Sequence, residues 1–110
     1  MKYTANLVKA VLSAMQNHPE HTFWFCTIDL QHDPEQFAVV NCTNGEGDGQ
    51  TIKVHIFGNE VACFIQRPHA ATKWYGTAYL DQMNRDTFMM WLGIKLSKMY
   101  SDSMKYDEEV

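Results

Sequence analysis

Apolar residues recur at helical spacing near the two ends of the chain and at alternate positions through its middle. Between Thr4 and Gln16, Leu7, Val8, Val11, Leu12 and Met15 fall at i, i+1, i+4, i+5 and i+8, which is one face of a helix. Thr4 suits its N-cap, and Asn17-His18-Pro19 ends it, because a residue before proline is driven out of the helical region.

From His21 the side chains become β-branched and aromatic. The pattern predicts strands over His21–Ile28, Gln36–Cys42, Thr51–Phe57, Glu60–Gln66 and Thr72–Leu80. Turn signals separate them: Gln31-His32-Asp33-Pro34, the glycine-rich 44–49 stretch, Gly58-Asn59 and Arg67-Pro68-His69. Short connections between consecutive strands predict an antiparallel meander.

A two-residue Gly58-Asn59 hairpin sets a register with Phe57 across from Glu60. Ile52, Val54 and Ile56 then oppose Ile65, Cys63 and Val61, so that one whole face is apolar.

After Asp81 the helical period returns with Phe88, Trp91, Leu92, Lys95, Leu96 and Met99. Asn84 is the expected N-cap, Met83 can staple onto Phe88, and Asp86 in the first turn suits the helix dipole. Lys95 and Lys98 would suit its other end. From Ser101 the chain is polar and acidic, and a disordered tail over 101–110 is expected.

The predicted fold is one α+β domain over residues 1–100: an N-terminal helix, a meander of four to five strands and a C-terminal helix. Both helices are expected on the Ile52/Val54/Ile56 face.

The other face breaks the rule that an uncovered sheet surface is polar. Alternation gives it Phe57 and Phe64 beside Lys53, His55, Ala62 and Gln66, and Phe23-Trp24-Phe25 is aromatic towards both sides. Self-burial by a curled sheet, the final segment folded across it and an interface all account for such a surface; an interface is the expectation.

Charge is divided along the chain rather than spread. Residues 10–52 hold six acidic and no basic residues, residues 53–100 hold six basic and three acidic, and the whole chain carries −4. Cys26, Cys42 and Cys63 are odd in number, lie in apolar runs and form no C-x-x-C pair. They read as small hydrophobes of a reducing compartment, with no disulfide scaffold. No apolar run approaches the roughly 18–20 residues a membrane helix needs, and the first thirty residues lack a signal-peptide pattern. A cytoplasmic protein without membrane contact is expected.

Residue type and spacing bear on several possible chemical sites. Asn44, Glu46, Asp48 and Gly49 match the opening of a calcium loop, but His55 stands where its bidentate glutamate belongs and strands flank it. Three strand cysteines and five scattered histidines form no zinc spacing, so no metal and no cofactor are expected.

The 44–49 and 67–70 connections of a meander share one end of the sheet. Glu46 or Asp48 could therefore meet Arg67 and His69, an anion- or proton-handling cluster that would suit a small enzyme or ligand-binding domain. No catalytic residue is assigned, because no nucleophile or phosphate loop accompanies the cluster.

Lys53, Lys73 and Arg67 interleave with Phe64, Trp74 and Tyr75 as in single-strand binders, yet the run typical of RNA-reading sheets is absent and the isoelectric point is about 5.6. Nucleic acid and DNA mimicry are both disfavoured.

The resulting expectation is a small non-catalytic protein-binding module, an inhibitor or adaptor of the kind phages and mobile elements carry. It would bind a protein partner, or itself as a homodimer, through Phe23, Phe25, Phe57 and Phe64 or through its acidic loops. The alternative is the enzyme or ligand-binding domain built on Glu46, Asp48, Arg67 and His69.

Overall fold

In a computed structural model that describes residues 4–18, 24–29, 37–44 and 50–109, the predicted order of elements is present. Helix α1 spans Ala5–Gln16, with the Thr4 hydroxyl accepting the Leu7 amide at 3.0 Å. That bond satisfies one of the amides that every helix start leaves without an intrahelical acceptor. Five strands follow, β1 (Trp24–Asp29), β2 (Phe37–Asn44), β3 (Thr51–Phe57), β4 (Glu60–Gln66) and β5 (Lys73–Tyr79). They form one open antiparallel sheet in sequential order.

The hairpin register is the one the sequence predicts: Phe57 faces Glu60, and Ile52, Val54 and Ile56 face Ile65, Cys63 and Val61. All six of those apolar side chains are buried. They form the core with Ala38, Val40 and Cys42 of β2 and with Leu7, Val8, Val11 and Met15 of α1. Helix α2 (Arg85–Glu109) closes the same core with Phe88, Leu92, Leu96, Met99 and Tyr100. Both helices thus lie on one face of the sheet.

Asn84 starts α2 as expected, its side-chain oxygen accepting the Thr87 amide at 2.8 Å. The expected disordered tail is corrected. The helix continues through the polar stretch after Ser101, because tertiary partners hold it there. Tyr100 and Ser103 are buried, Gln50 Nε2 donates to the Ser103 carbonyl at 3.3 Å, and Asp102 Oδ2 accepts from both Tyr75 Oη at 2.7 Å and Lys73 Nζ at 3.1 Å. Lys95 and Lys98 consequently lie mid-helix, and the last turn of α2 carries no basic residue, so the expected dipole role falls away.

The cysteine reading holds for Cys63, a buried free thiol, and is corrected at Cys42, which is disulfide-bonded. The β1–β2 register sets Cys26 directly across from Cys42. Sixteen positions of separation in sequence hide a juxtaposition that strand pairing creates.

The β4–β5 pairing slips by one residue between Cys63 and Phe64, so Gly76 faces Cys63, Trp74 faces Phe64, and Tyr75 is the extra residue of a bulge. Gly76 adopts φ +136°, a conformation L side chains rarely take. Gly76→Ala is expected to cost about 1–3 kcal/mol from backbone conformation. Crowding adds less, since its Cβ would meet the flexible end of Lys95 at 3.4 Å. Gly93, inside α2 with open space around it, is the matched control. Gly93→Ala should stabilise by about 0.5–1 kcal/mol. Urea unfolding of both variants checks the pair, and equal effects would contradict the assignment of strain to Gly76.

Candidate functional site

The face of the sheet turned away from the helices presents Thr51, Lys53, His55 and Phe57 from β3 and Glu60, Ala62, Phe64 and Gln66 from β4. None of the eight is buried, whereas every alternate residue between them is. The pleat explains the division, since successive side chains of a strand point to opposite faces.

The bulge at Tyr75 decides what β5 adds. By inserting a residue it directs Tyr75 to the helix side, where its hydroxyl reaches Asp102, and leaves Trp74 beside Phe64 on the open side. The Phe64 and Trp74 ring centroids are 4.6 Å apart with planes tilted by 39°, and His55 meets the Phe64 ring edge-on at 6.3 Å. A line of rings therefore crosses β3, β4 and β5. At the β3–β4 turn end, Phe57 and Tyr79 flank Glu60 across the three strands.

These rings are not sealed within the chain. Trp74 is 64 % exposed, Phe57 61 % and Tyr79 44 %. The face is nonetheless uneven, because Val39 of β2, across from His55, is only 8 % exposed. Among the described residues of this face, the exposed large apolar side chains belong to the β3–β5 side.

Its electrostatics are sparse and divided. Lys53, across from Phe64, supplies a positive charge near one end of the strands, and Glu60 a negative one at the other. Between them the His55 imidazole is held below the ordinary histidine range, first by burial and then by the Lys53 ammonium, so that it is neutral at pH 7.

Of the sequence-derived interface residues, Phe57 and Phe64 lie on this face as expected. Phe25 falls in β1 across from Thr43, and Phe23 lies outside the described residues. Trp74 and Tyr79 were missing from that set. The lone glycine inside the fifth strand is the signal that marks a bulge and with it the placement of Trp74.

The ligand cluster built on Glu46, Asp48, Arg67 and His69 is only half described. Thr51 pairs with Gln66, so β3 begins where β4 ends. Arg67 leaves that end half-buried, and His69 is exposed on the connection that follows. Glu46 and Asp48, like the rest of the calcium-like 45–49 loop, lie outside the described residues.

Elsewhere, Lys73, Tyr75 and Asp102 form a polar knot between β5 and α2, with Lys73 Nζ 5.5 Å from the Tyr75 ring centroid. Burial and then the hydrogen bond to Asp102 raise the Tyr75 phenol above its ordinary range, which keeps it a neutral donor. The knot fastens the helix to the sheet. Among the described residues, no group of three or more His, Cys, Asp or Glu is placed to hold a metal ion, and no helix is long and apolar enough to cross a membrane.

Comparison with protein-family models, with curated proteins and with solved structures finds no match to this chain.

Proposed function

We propose that the chain is a small non-catalytic protein-binding module whose docking surface is the open aromatic face of the sheet, centred on Phe57, Phe64, Trp74 and Tyr79. The observation that carries this reading is the exposure of Trp74 and Phe57 on an antiparallel sheet whose other face carries the hydrophobic core. Leaving large rings in water forfeits burial energy of about 25 cal/mol per Å², and a partner recovers it. Aromatic side chains held on regular structure also lose little conformational freedom on binding, which is why Trp and Tyr dominate the energetics of protein interfaces.

An inhibitor or adaptor is the role this reading implies. The test is affinity capture of the tagged full-length chain from its native host, beside Trp74→Ala, Phe57→Ser and an Arg67→Ala/His69→Ala double variant. Loss of a hot-spot aromatic should weaken capture of a specific protein at least tenfold, since such truncations cost about 2 kcal/mol or more. The Arg67/His69 variant should capture normally. The reverse pattern would transfer function to the 67–70 connection and defeat the reading.

A further inference from the structure

We infer that the occupant of this face is a second copy of the chain, stacked sheet on sheet about a two-fold axis; this rests on the binding reading above and names its partner. The strand register arranges the β3–β5 side of the face in three parallel rows. The first is Lys53, Phe64 and Trp74, the second His55, Ala62 and Thr77, and the third Phe57, Glu60 and Tyr79.

A two-fold axis parallel to the rows and above the second places the first row of each copy over the third row of the other. Trp74 then meets Tyr79, and Phe64 meets Glu60 and its neighbour Phe57. Lys53 comes over Phe57 with the Glu60 carboxylate adjacent. Each contact occurs twice, as an isologous interface requires. The central row contributes the small side chains of Ala62 and Thr77, which allow the ordinary spacing of about 10 Å between stacked sheets.

Charge complementarity favours this occupant. Lys53 and Glu60 stand at opposite ends of the aromatic field, and rotation about this axis brings the positive end of each copy over the negative end of the other. A single-stranded nucleic acid would meet Glu60 within its stacking surface and a chain of net charge −4.

Three strands about 4.8 Å apart and about seven residues long give the β3–β5 field about 14 by 23 Å, a flat area below the roughly 800 Å² per partner of a standard interface, so the dimer expected is a weak, concentration-dependent one.

The test is sedimentation equilibrium of the full chain from about 1 to about 200 µM, a span that brackets the dissociation of a weak dimer. Wild type should reach twice 12.7 kDa. Trp74→Lys and Phe57→Lys should remain monomeric, with circular dichroism unchanged because both side chains are exposed. Lys53→Glu and Glu60→Lys should each weaken the dimer about tenfold, and the double exchange should restore it to within a few-fold.

Met90→Lys/Ile94→Lys, on the exposed outer side of α2, should leave the dimer intact. A wild-type monomer at every concentration overturns the inference. So does a dimer insensitive to Trp74→Lys, a dimer lost only with Met90 and Ile94, charge variants that do not rescue one another, or a wild type that binds labelled oligothymidylate through Trp74. A monomeric wild type whose Trp74→Ala variant still loses a captured foreign protein would remove self-association and leave the binding reading standing.

Discussion

Raising the pH from 9 to 12 is expected to weaken the fold progressively through Cys63, by on the order of 1 kcal/mol per pH unit. Cys63 sits in β4 among Val54, Val61 and Ile65, and burial pushes its thiol from an ordinary 9.0 up to about 12, with the Lys95 ammonium opposing the shift. Because the folded state holds this proton more tightly than the unfolded one, the stabilisation is complete below pH 9 and is lost as pH rises towards 12.

Tyr75 and Tyr100 are raised in the same direction, each chiefly by burial, so they steepen the loss above their ordinary pKa near 10. Urea unfolding at fixed protein concentration, repeated at half-unit intervals from pH 8, measures the slope. Cys63→Ala should lose about 1 kcal/mol at pH 7 from packing yet show a flatter curve between pH 9 and 10. Parallel curves for the two proteins would show that the thiol is not the group responsible.

Tyr100→Ala is the second large effect, expected to cost about 3–5 kcal/mol. Tyr100 is wholly buried where α1, β2 and α2 meet. Its ring stacks on His18 at 4.6 Å, and its hydroxyl donates to the Met15 carbonyl at 3.0 Å and lies 3.6 Å from Cys42 Sγ. His18 Nε2 is in turn 3.2 Å from Ser97 Oγ, so one residue joins the end of the first helix to the second.

Tyr100→Phe keeps the ring and removes only the hydroxyl, at about 1–2 kcal/mol. Thermal and urea unfolding of the two variants separate packing from the polar link. Equal losses would mean the ring contributes little, and a loss below about 1 kcal/mol for Tyr100→Ala would contradict its role as a junction.

The candidate face was legible to the extent that strand alternation makes it so. Phe57 and Phe64 could be placed because the Gly58-Asn59 turn fixes a register, and a register fixes every alternate side chain. Trp74 and Tyr79 escaped because a bulge breaks the alternation in β5. Whether Trp74 faces the helices or water depends on Tyr75 taking the inward position to reach Asp102, 27 residues away. Cys42 was misread for the same kind of reason, since its neighbour across β1 and β2 is adjacent only after the strands pair.

The sequence by itself determined the order of elements, both helix caps, the β3–β4 register and the apolar face on which the helices lie. Those features follow from local chemistry: side-chain period, turn geometry and capping act within a few residues of one another. Only the tertiary structure decided that α2 continues past Ser101, that Lys95 lies mid-helix over the sheet, and that Trp74 joins Phe64 on the open face. Each of these depends on partners distant in the chain, where a buried contact outweighs a weak local preference.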